Sequence, residues 1–278
     1  MTGPAETFGE RLASVTGERG RLCVGIDPHP GLLRDWGLEA DTRGLERFAR
    51  TCVEAFGSLA GVIKPQSAFF ESYGSAGIAV LERVLADARA AGAVTLLDVK
   101  RGDIGSTMSA YAQAYLADGA PLAADAITLS PYLGFGSLEP AIELARRTGR
   151  GVFVLARTSN PEGPSVQQAQ AGGPGNRCIA QTIVDRAAEI NADGGGSVGV
   201  VIGATAAHGL DIGSLRGPIL APGFGAQGVG PEELSSVFGA AREHVLPASS
   251  RDILAKGPDV DRLRNAVRTV SALLSEHE

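Results

Sequence analysis

The stretch "TLLDVKRGDIGST", residues 95–107, joins an apolar run to a dense group of charges. Val94 to Leu97 reads as a buried strand, and it ends in Asp98, Lys100, Arg101 and Asp103. A lysine flanked by carboxylates is favoured as the ammonium, because nearby negative charge stabilises the cation. Such a group suits proton donation, or a fixed positive charge beside a forming carbanion. Schiff-base chemistry needs the neutral amine instead, produced by burial or a neighbouring cation. The choice of lysine matters here. Of 25 basic residues only Lys64, Lys100 and Lys256 are lysines, the rest being arginines. Lysine can give up its proton near neutral pH, which arginine cannot. Lys100 is therefore read as a general acid rather than a nucleophile. An ion-pair network without chemistry stays open as the alternative, since structural networks use the same residue types.

Eight β-branched, apolar runs surround this motif, near residues 21–27, 61–66, 93–99, 124–130, 151–157, 197–203, 218–223 and 244–249. Amphipathic segments lie between them. In one, residues 75–92, Ile78, Leu81, Val84 and Leu85 fall at helical spacing, and Gly92 supplies a stop. Strand and helix alternate about eight times without a polar linker, which predicts one (β/α)8 barrel over residues 1–278, preceded by an N-terminal helix. A doubly wound open sheet is the competing arrangement, but no G-x-G-x-x-G follows the first strand. Residues 158–176, "TSNPEGPSVQQAQAGGPGN", lack a helical period and are expected to form a long loop after the fifth strand, of the kind that is either functional or disordered and, in a barrel, on the active face.

A barrel places its chemistry at the C-terminal ends of the strands. Asp27 closes the first run, Lys64 the second, and Asp98 with Lys100 the third. Residues two apart on a strand share a face, so Asp98 and Lys100 should both face the mouth or both face away. The glycine-rich "APGFGAQG" (221–228) follows the seventh run and "SSR" (249–251) the eighth. Loops in those two positions commonly bind phosphate, with backbone N–H groups and an arginine such as Arg251 as ligands.

Bulk properties narrow the class. A net charge of −6 without a basic face argues against nucleic-acid binding. Cys23, Cys52 and Cys178 are odd in number and form no C-x-x-C, which suits a reducing compartment. The polar start lacks an apolar signal core, and no apolar run has the length of a membrane span. A soluble cytoplasmic protein is expected. His29, His208, His244 and His277 show no metal-ligand spacing.

Taken together, these residues resemble the orotidine 5′-phosphate decarboxylase family along the length of the chain. The specific part is "LDVKRGDIGST". The family pattern of Asp-x-Lys-x-x-Asp followed by Ile-x-x-Thr is met by Asp98, Lys100, Asp103, Ile104 and Thr107. That wording and the long "RTSNPEG" loop are most similar to the longer bacterial (type 2) subgroup. The resemblance implies a cofactor-free and metal-free decarboxylation of orotidine 5′-phosphate to uridine 5′-phosphate. It implies that Asp27 binds ribose hydroxyls and that Lys64 binds ribose and supports the charged array. Asp98 would crowd the substrate carboxylate, and Lys100 would protonate the carbon that loses carbon dioxide. Asp103 and Thr107 would complete the neighbouring site of a homodimer. Ser159 would meet the pyrimidine, with Thr158 an adjacent alternative, and Gln227 and Arg251 would hold the phosphate.

Rival readings share parts of this pattern. A magnesium-dependent sugar-phosphate decarboxylase or aldolase could use the Asp-x-Lys core, but the second aspartate, "IGST" and "GAQG" argue against it. A non-catalytic nucleotide binder would have no need of both Asp98 and Lys100. The roles of Arg101 and Arg157 stay open, and Lys256 is expected at the surface.

Overall fold

The computed structural model describes residues 6–172, 176–204, 208–225 and 229–276. Each of the eight expected runs coincides with one strand, β3 extending two residues beyond its run: β1 Cys23–Ile26, β2 Val62–Pro65, β3 Val94–Arg101, β4 Ala126–Leu129, β5 Gly151–Arg157, β6 Val198–Ile202, β7 Ile219–Pro222 and β8 Val245–Ser249. Each pairs in parallel with the next, and β8 pairs with β1, closing the sheet. The chain is a (β/α)8 barrel. Parallel strands buried on both faces read as continuous apolar runs, so sequence alternation alone could not assign their faces.

Two sets of buried side chains make that assignment. Cys23, Val62, Val94, Leu96, Ala126, Phe153, Val201, Leu220 and Leu246 point into the barrel. Their neighbours, including Val24, Ile63, Leu97, Ile127, Val152 and Ile219, pack outward beneath the helices. The helix Phe8–Arg19 plugs the N-terminal end, with Phe8 edge-on to Phe153 at 6.1 Å between ring centroids. The other end of the barrel stays open for a ligand.

Of the outer helices, Thr42–Phe56 starts at Asp41, whose carboxylate accepts the Gly44 N–H at 2.8 Å, and buries Leu45, Phe48, Cys52 and Phe56. Gly74–Ala90 buries Val80, Leu81, Val84 and Leu85 and stops before Gly92, which takes a left-handed φ of 77°. Ile78 is only half-buried, and Gly77 faces the core in that turn. The 158–176 segment is more structured than its composition suggests. It contains a helical turn, Pro164–Gln167, and Gln167 bonds back to Thr158, accepting its N–H at 3.0 Å and donating to its Oγ1 at 2.7 Å.

Candidate active site

Extending the inward-facing sets by two residues leads to the barrel mouth. Cys23 is followed by Gly25 and Asp27, Val62 by Lys64 and Gln66, Leu96 by Asp98, and Ala126 by Thr128. These residues line a cavity of about 530 Å³ together with Thr158, Ser159, Ser250 and Arg251. Gly25 is required at its floor. A Cβ there would stand 2.8 Å from the Ser250 Cβ and 3.2 Å from Asp27 Oδ2.

An alternating row of charges crosses the cavity. Asp27 Oδ1 lies 4.0 Å from Lys64 Nζ, and Lys64 Nζ lies 3.6 Å from Asp98 Oδ2. Lys100 Nζ donates to both Asp98 oxygens at 2.6 Å. Thr128 Oγ1 donates to Asp98 Oδ1, also at 2.6 Å. Burial alone would raise the Asp98 carboxyl, but Lys64, Lys100 and the bond from Thr128 outweigh it and hold the group below its usual range. Burial would likewise lower the Lys64 ammonium, but Asp27 and Asp98 reverse that and push it up to about 12. The two lysines differ in access. The Lys64 side chain is 9% exposed and Lys100 46%, so Lys64 is a fixed interior charge and Lys100 can reach a ligand.

Lys100 reaches this position by leaving ideal strand geometry. Its φ is +45°, rare for a side chain with a Cβ, and the β3–β4 register shifts between Leu97 and Arg101. Asp98 and Lys100 therefore meet at the mouth through a bulge as well as through simple alternation. The following Gly102 runs against β4, where a Cβ would lie 2.2 Å from the Ser130 carbonyl oxygen. The glycine inside "KRGD" is thus a requirement of packing.

The structure places the remaining expected residues unevenly. Ser159 lines the cavity. The adjacent Thr158 hydroxyl is engaged within the loop, donating to Asn160 Oδ1 at 2.6 Å and accepting from Gln167. Arg251 lines the cavity at the start of the short helix Arg251–Leu254. Gln227 lies outside the described residues. Asp103 and Thr107 do not line this cavity. Asp103 Oδ1 accepts the Ile104 N–H at 2.8 Å, and Thr107 is exposed in the first turn of the helix Gly105–Leu116. Among the described residues, Asp98 is the carboxylate that bonds Lys100 within one chain.

Other residues resolve by their contacts. Arg101 donates to Glu71 at 2.7 Å and stacks over Tyr111 at 5.6 Å, outside the cavity. Arg157 reaches Gln167 Oε1 at 3.5 Å, at the base of the long loop. Cys23 is buried, and its burial raises the thiol to about 12. His29 caps the helix Pro30–Asp35, accepting the Gly31 N–H at 3.0 Å. Lys256 is exposed. Among the described residues, no group of three or more His, Cys, Asp or Glu could hold a metal ion.

Sequence reasoning missed Gln66, Thr128 and Ser250. Gln66 accepts from Lys64 Nζ at 3.5 Å. The Ser250 hydroxyl and Asp27 Oδ1 are buried without hydrogen-bond partners, so they are groups that a ligand hydroxyl or anion could satisfy. Gln66 lies two residues past Lys64 and so shares its face, a signal the sequence carries; Thr128 has no such marker.

A family model described as orotidine 5′-phosphate decarboxylase / HUMPS family matches residues 20–266. The chain belongs to that family. It is an enzyme, and among similar curated proteins are the orotidine 5′-phosphate decarboxylases of Salinispora tropica and Streptomyces coelicolor. The first is 56% identical over 270 residues, covering 96% of each chain. The second is 55% identical over 265 residues, covering 94% of each. A crystal structure assigned the same decarboxylase name, from Streptomyces avermitilis, superposes with a TM-score of 0.95 at 54% identity, covering 98% of this chain and 96% of that one. The Leishmania donovani OMP decarboxylase structure gives a TM-score of 0.75 at 28% identity, with 98% of each chain covered. Orotidine 5′-phosphate decarboxylase / HUMPS kinship thus spans the barrel and every described cavity residue named above.

Proposed function

We propose that this chain decarboxylates orotidine 5′-phosphate to uridine 5′-phosphate, the last step of de novo pyrimidine nucleotide synthesis, using no cofactor or metal. The observation that carries this reading is the Asp27–Lys64–Asp98–Lys100 row, which ends in an accessible ammonium at the cavity mouth. The bond from the ring carbon to its carboxylate breaks, carbon dioxide leaves, and the electron pair stays on the carbon. Lys100 then supplies a proton to that carbon, and its amine recovers one from water. Charges already in place need no reorganisation as the carbanion forms, which is where electrostatic catalysis gains most. Asp98 adds repulsion of the departing carboxylate, secondary to that stabilisation.

Asp27, whose Oδ1 pairs with Lys64 but has no hydrogen-bond donor, binds ribose hydroxyls. Ser159 meets the pyrimidine, and Gln227 and Arg251 hold the phosphate. Phosphate binding far from the reacting carbon helps assemble the closed site, so its energy is realised in the transition state. Arg251→Ala should raise KM for the nucleotide by about 10–100-fold, the value of a charge-assisted pair. Steady-state kinetics check this, and an unchanged KM would remove Arg251 from the phosphate site. The motif wording and the long loop after β5 support assignment to the type 2 subgroup.

The working unit in this reading is a homodimer. Asp103 and Thr107 stand outside their own cavity, and Ile104 (62%) beside Asp103 and Tyr132 (80%) and Leu133 (52%) on the loop after β4 are exposed. An apolar rim of this kind suits a second copy, which would bring Asp103 and Thr107 to the neighbouring site. Mixing Lys100→Ala with Asp103→Asn, each inactive alone, should recover roughly a quarter of wild-type activity, because half the dimers then carry one intact site. No recovery after subunit exchange would place Asp103 in its own chain's chemistry.

Three free cysteines, Cys23, Cys52 and Cys178, support a reducing cytoplasmic setting. Among the described residues, no helix is long and apolar enough to cross a membrane. The deciding experiment follows ultraviolet loss of orotidine 5′-phosphate with purified protein in EDTA. Metal-free turnover is expected. Turnover appearing only with magnesium and a sugar phosphate would favour the rival reading, a magnesium-dependent sugar-phosphate decarboxylase or aldolase.

A further inference from the structure

Thr128 sits on the inner face of β4, two residues after Ala126, with 1% of its surface exposed. Strand position alone would accept valine, which has the same shape and equal liking for a strand. A buried hydroxyl is unfavourable unless bonded, and this one is bonded on both sides. Its Oγ1 accepts the backbone N–H of Lys100 at 2.9 Å and donates to Asp98 Oδ1 at 2.6 Å. A hydroxyl has one proton to give, so Asp98 receives it.

The Lys100 backbone needs such a tie. The register shift between Leu97 and Arg101 takes its N–H out of the β3–β4 ladder, and Thr128 supplies the missing acceptor. A residue with a Cβ at φ +45° persists only where its surroundings over-determine it. The same hydroxyl adds to the donors on Asp98, beside Lys100 and Lys64, against the burial that alone would raise that carboxyl; Asp27 and the neutral Cys23 thiol, from the β1 side, are the other titratable groups nearby.

We propose that Thr128 is a positioning residue of this enzyme: its hydroxyl locks the Lys100 backbone to the Asp98 carboxylate and thereby sets where the Lys100 ammonium stands. The assignment rests on the decarboxylase reading of the cavity, and Thr128 acts through Lys100 and Asp98 rather than on the nucleotide.

The test compares Thr128→Val and Thr128→Ser with wild type. Kinetics against pH are measured together with carbon-13 NMR titration of aspartate carboxylates in the substrate-free protein, the Asp98 signal being identified by its loss in Asp98→Asn. Thr128→Val should lower kcat about 10–100-fold, the worth of one hydrogen bond to a charged group. KM should stay within about threefold, the mark of an interaction expressed in the transition state. Losing the donor raises the Asp98 carboxyl, so the acid limb of kcat and the Asp98 titration should both move to higher pH. Thr128→Ser should return kcat to within about threefold of wild type.

A kcat within twofold of wild type in Thr128→Val would overturn the proposal. So would equal damage in both variants, which would show that the hydroxyl alone does not restore function, or an unmoved Asp98 titration. If the wild-type protein turns over no orotidine 5′-phosphate, the decarboxylase reading falls. The Asp98 signal then still decides whether Thr128 holds that carboxylate.

Discussion

Lys100→Ala is expected to reduce kcat by about 10⁴-fold or more. Two losses combine. General acid catalysis contributes about 10²–10⁴-fold, and a preorganised charge beside the developing carbanion contributes about 10²–10³-fold. Both belong to one atom, Lys100 Nζ, which is held 2.6 Å from each Asp98 oxygen and is still accessible from the cavity. Lys100→Arg separates them. Arginine keeps the positive charge but does not give up its proton near neutral pH. The arginine variant should therefore still bind the nucleotide while remaining close to the alanine variant in kcat. Recovery of most activity in Lys100→Arg would leave charge as the essential property and take the proton-donor role from Lys100. Single-turnover measurement in deuterium oxide adds an independent readout. Wild type should place one deuterium on the product ring carbon, with a solvent isotope effect on its partitioning that neither variant shows.

Much of the barrel was legible because its signal is repetitive. Eight apolar runs separated by amphipathic segments leave few arrangements, and each run proved to coincide with a strand. The charged strand ends were legible for the same reason: Asp27, Lys64 and Asp98 interrupt runs that are otherwise apolar. Other features depend on contacts that a linear sequence does not carry. Thr128 is one ordinary residue in "AITLS", and its importance lies in a neighbour thirty positions away on β3. The left-handed Lys100 could not be foreseen, since strand periodicity assumes regular geometry. Thr158 and Ser159 were indistinguishable by type. Both line the cavity, and what the structure adds is that the helical turn at Pro164–Gln167 brings Gln167 back onto the Thr158 hydroxyl. Arg101 lies in the most specific motif of the chain, but it pairs with Glu71 on a helix that precedes β3.

Asp98→Asn is expected to cost both stability and activity, and a second substitution tells the two apart. Asp98 lies between two ammonium groups, and neutralising it leaves Lys64 buried with Asp27, 4.0 Å away, as its remaining carboxylate. Breaking one partner of a buried ion pair costs about 3–5 kcal/mol, so chemical denaturation should show a loss of that order. The double variant Asp98→Asn with Lys64→Met removes the stranded charge as well. It should recover most of the lost stability, because a hydrophobic replacement of a buried pair is often neutral or better. If the row of charges were only a structural cap, activity would recover too. If the row exists for chemistry, the double variant stays inactive while folding well. The pH dependence of stability carries the same argument with opposite signs at its two ends. Asp98 is held low in the fold, so its contribution is present above the ordinary carboxyl value of 3.8 and is lost as pH falls through the folded value. Lys64 is raised from 10.5 to about 12, so its contribution is complete below 10.5 and is lost as pH rises through about 12. That rise corresponds to about 2 kcal/mol. Wild type should therefore lose stability at both extremes relative to the double variant. A double variant with the same acid and alkaline slopes as wild type would show that the Asp98–Lys64 pair does not set them.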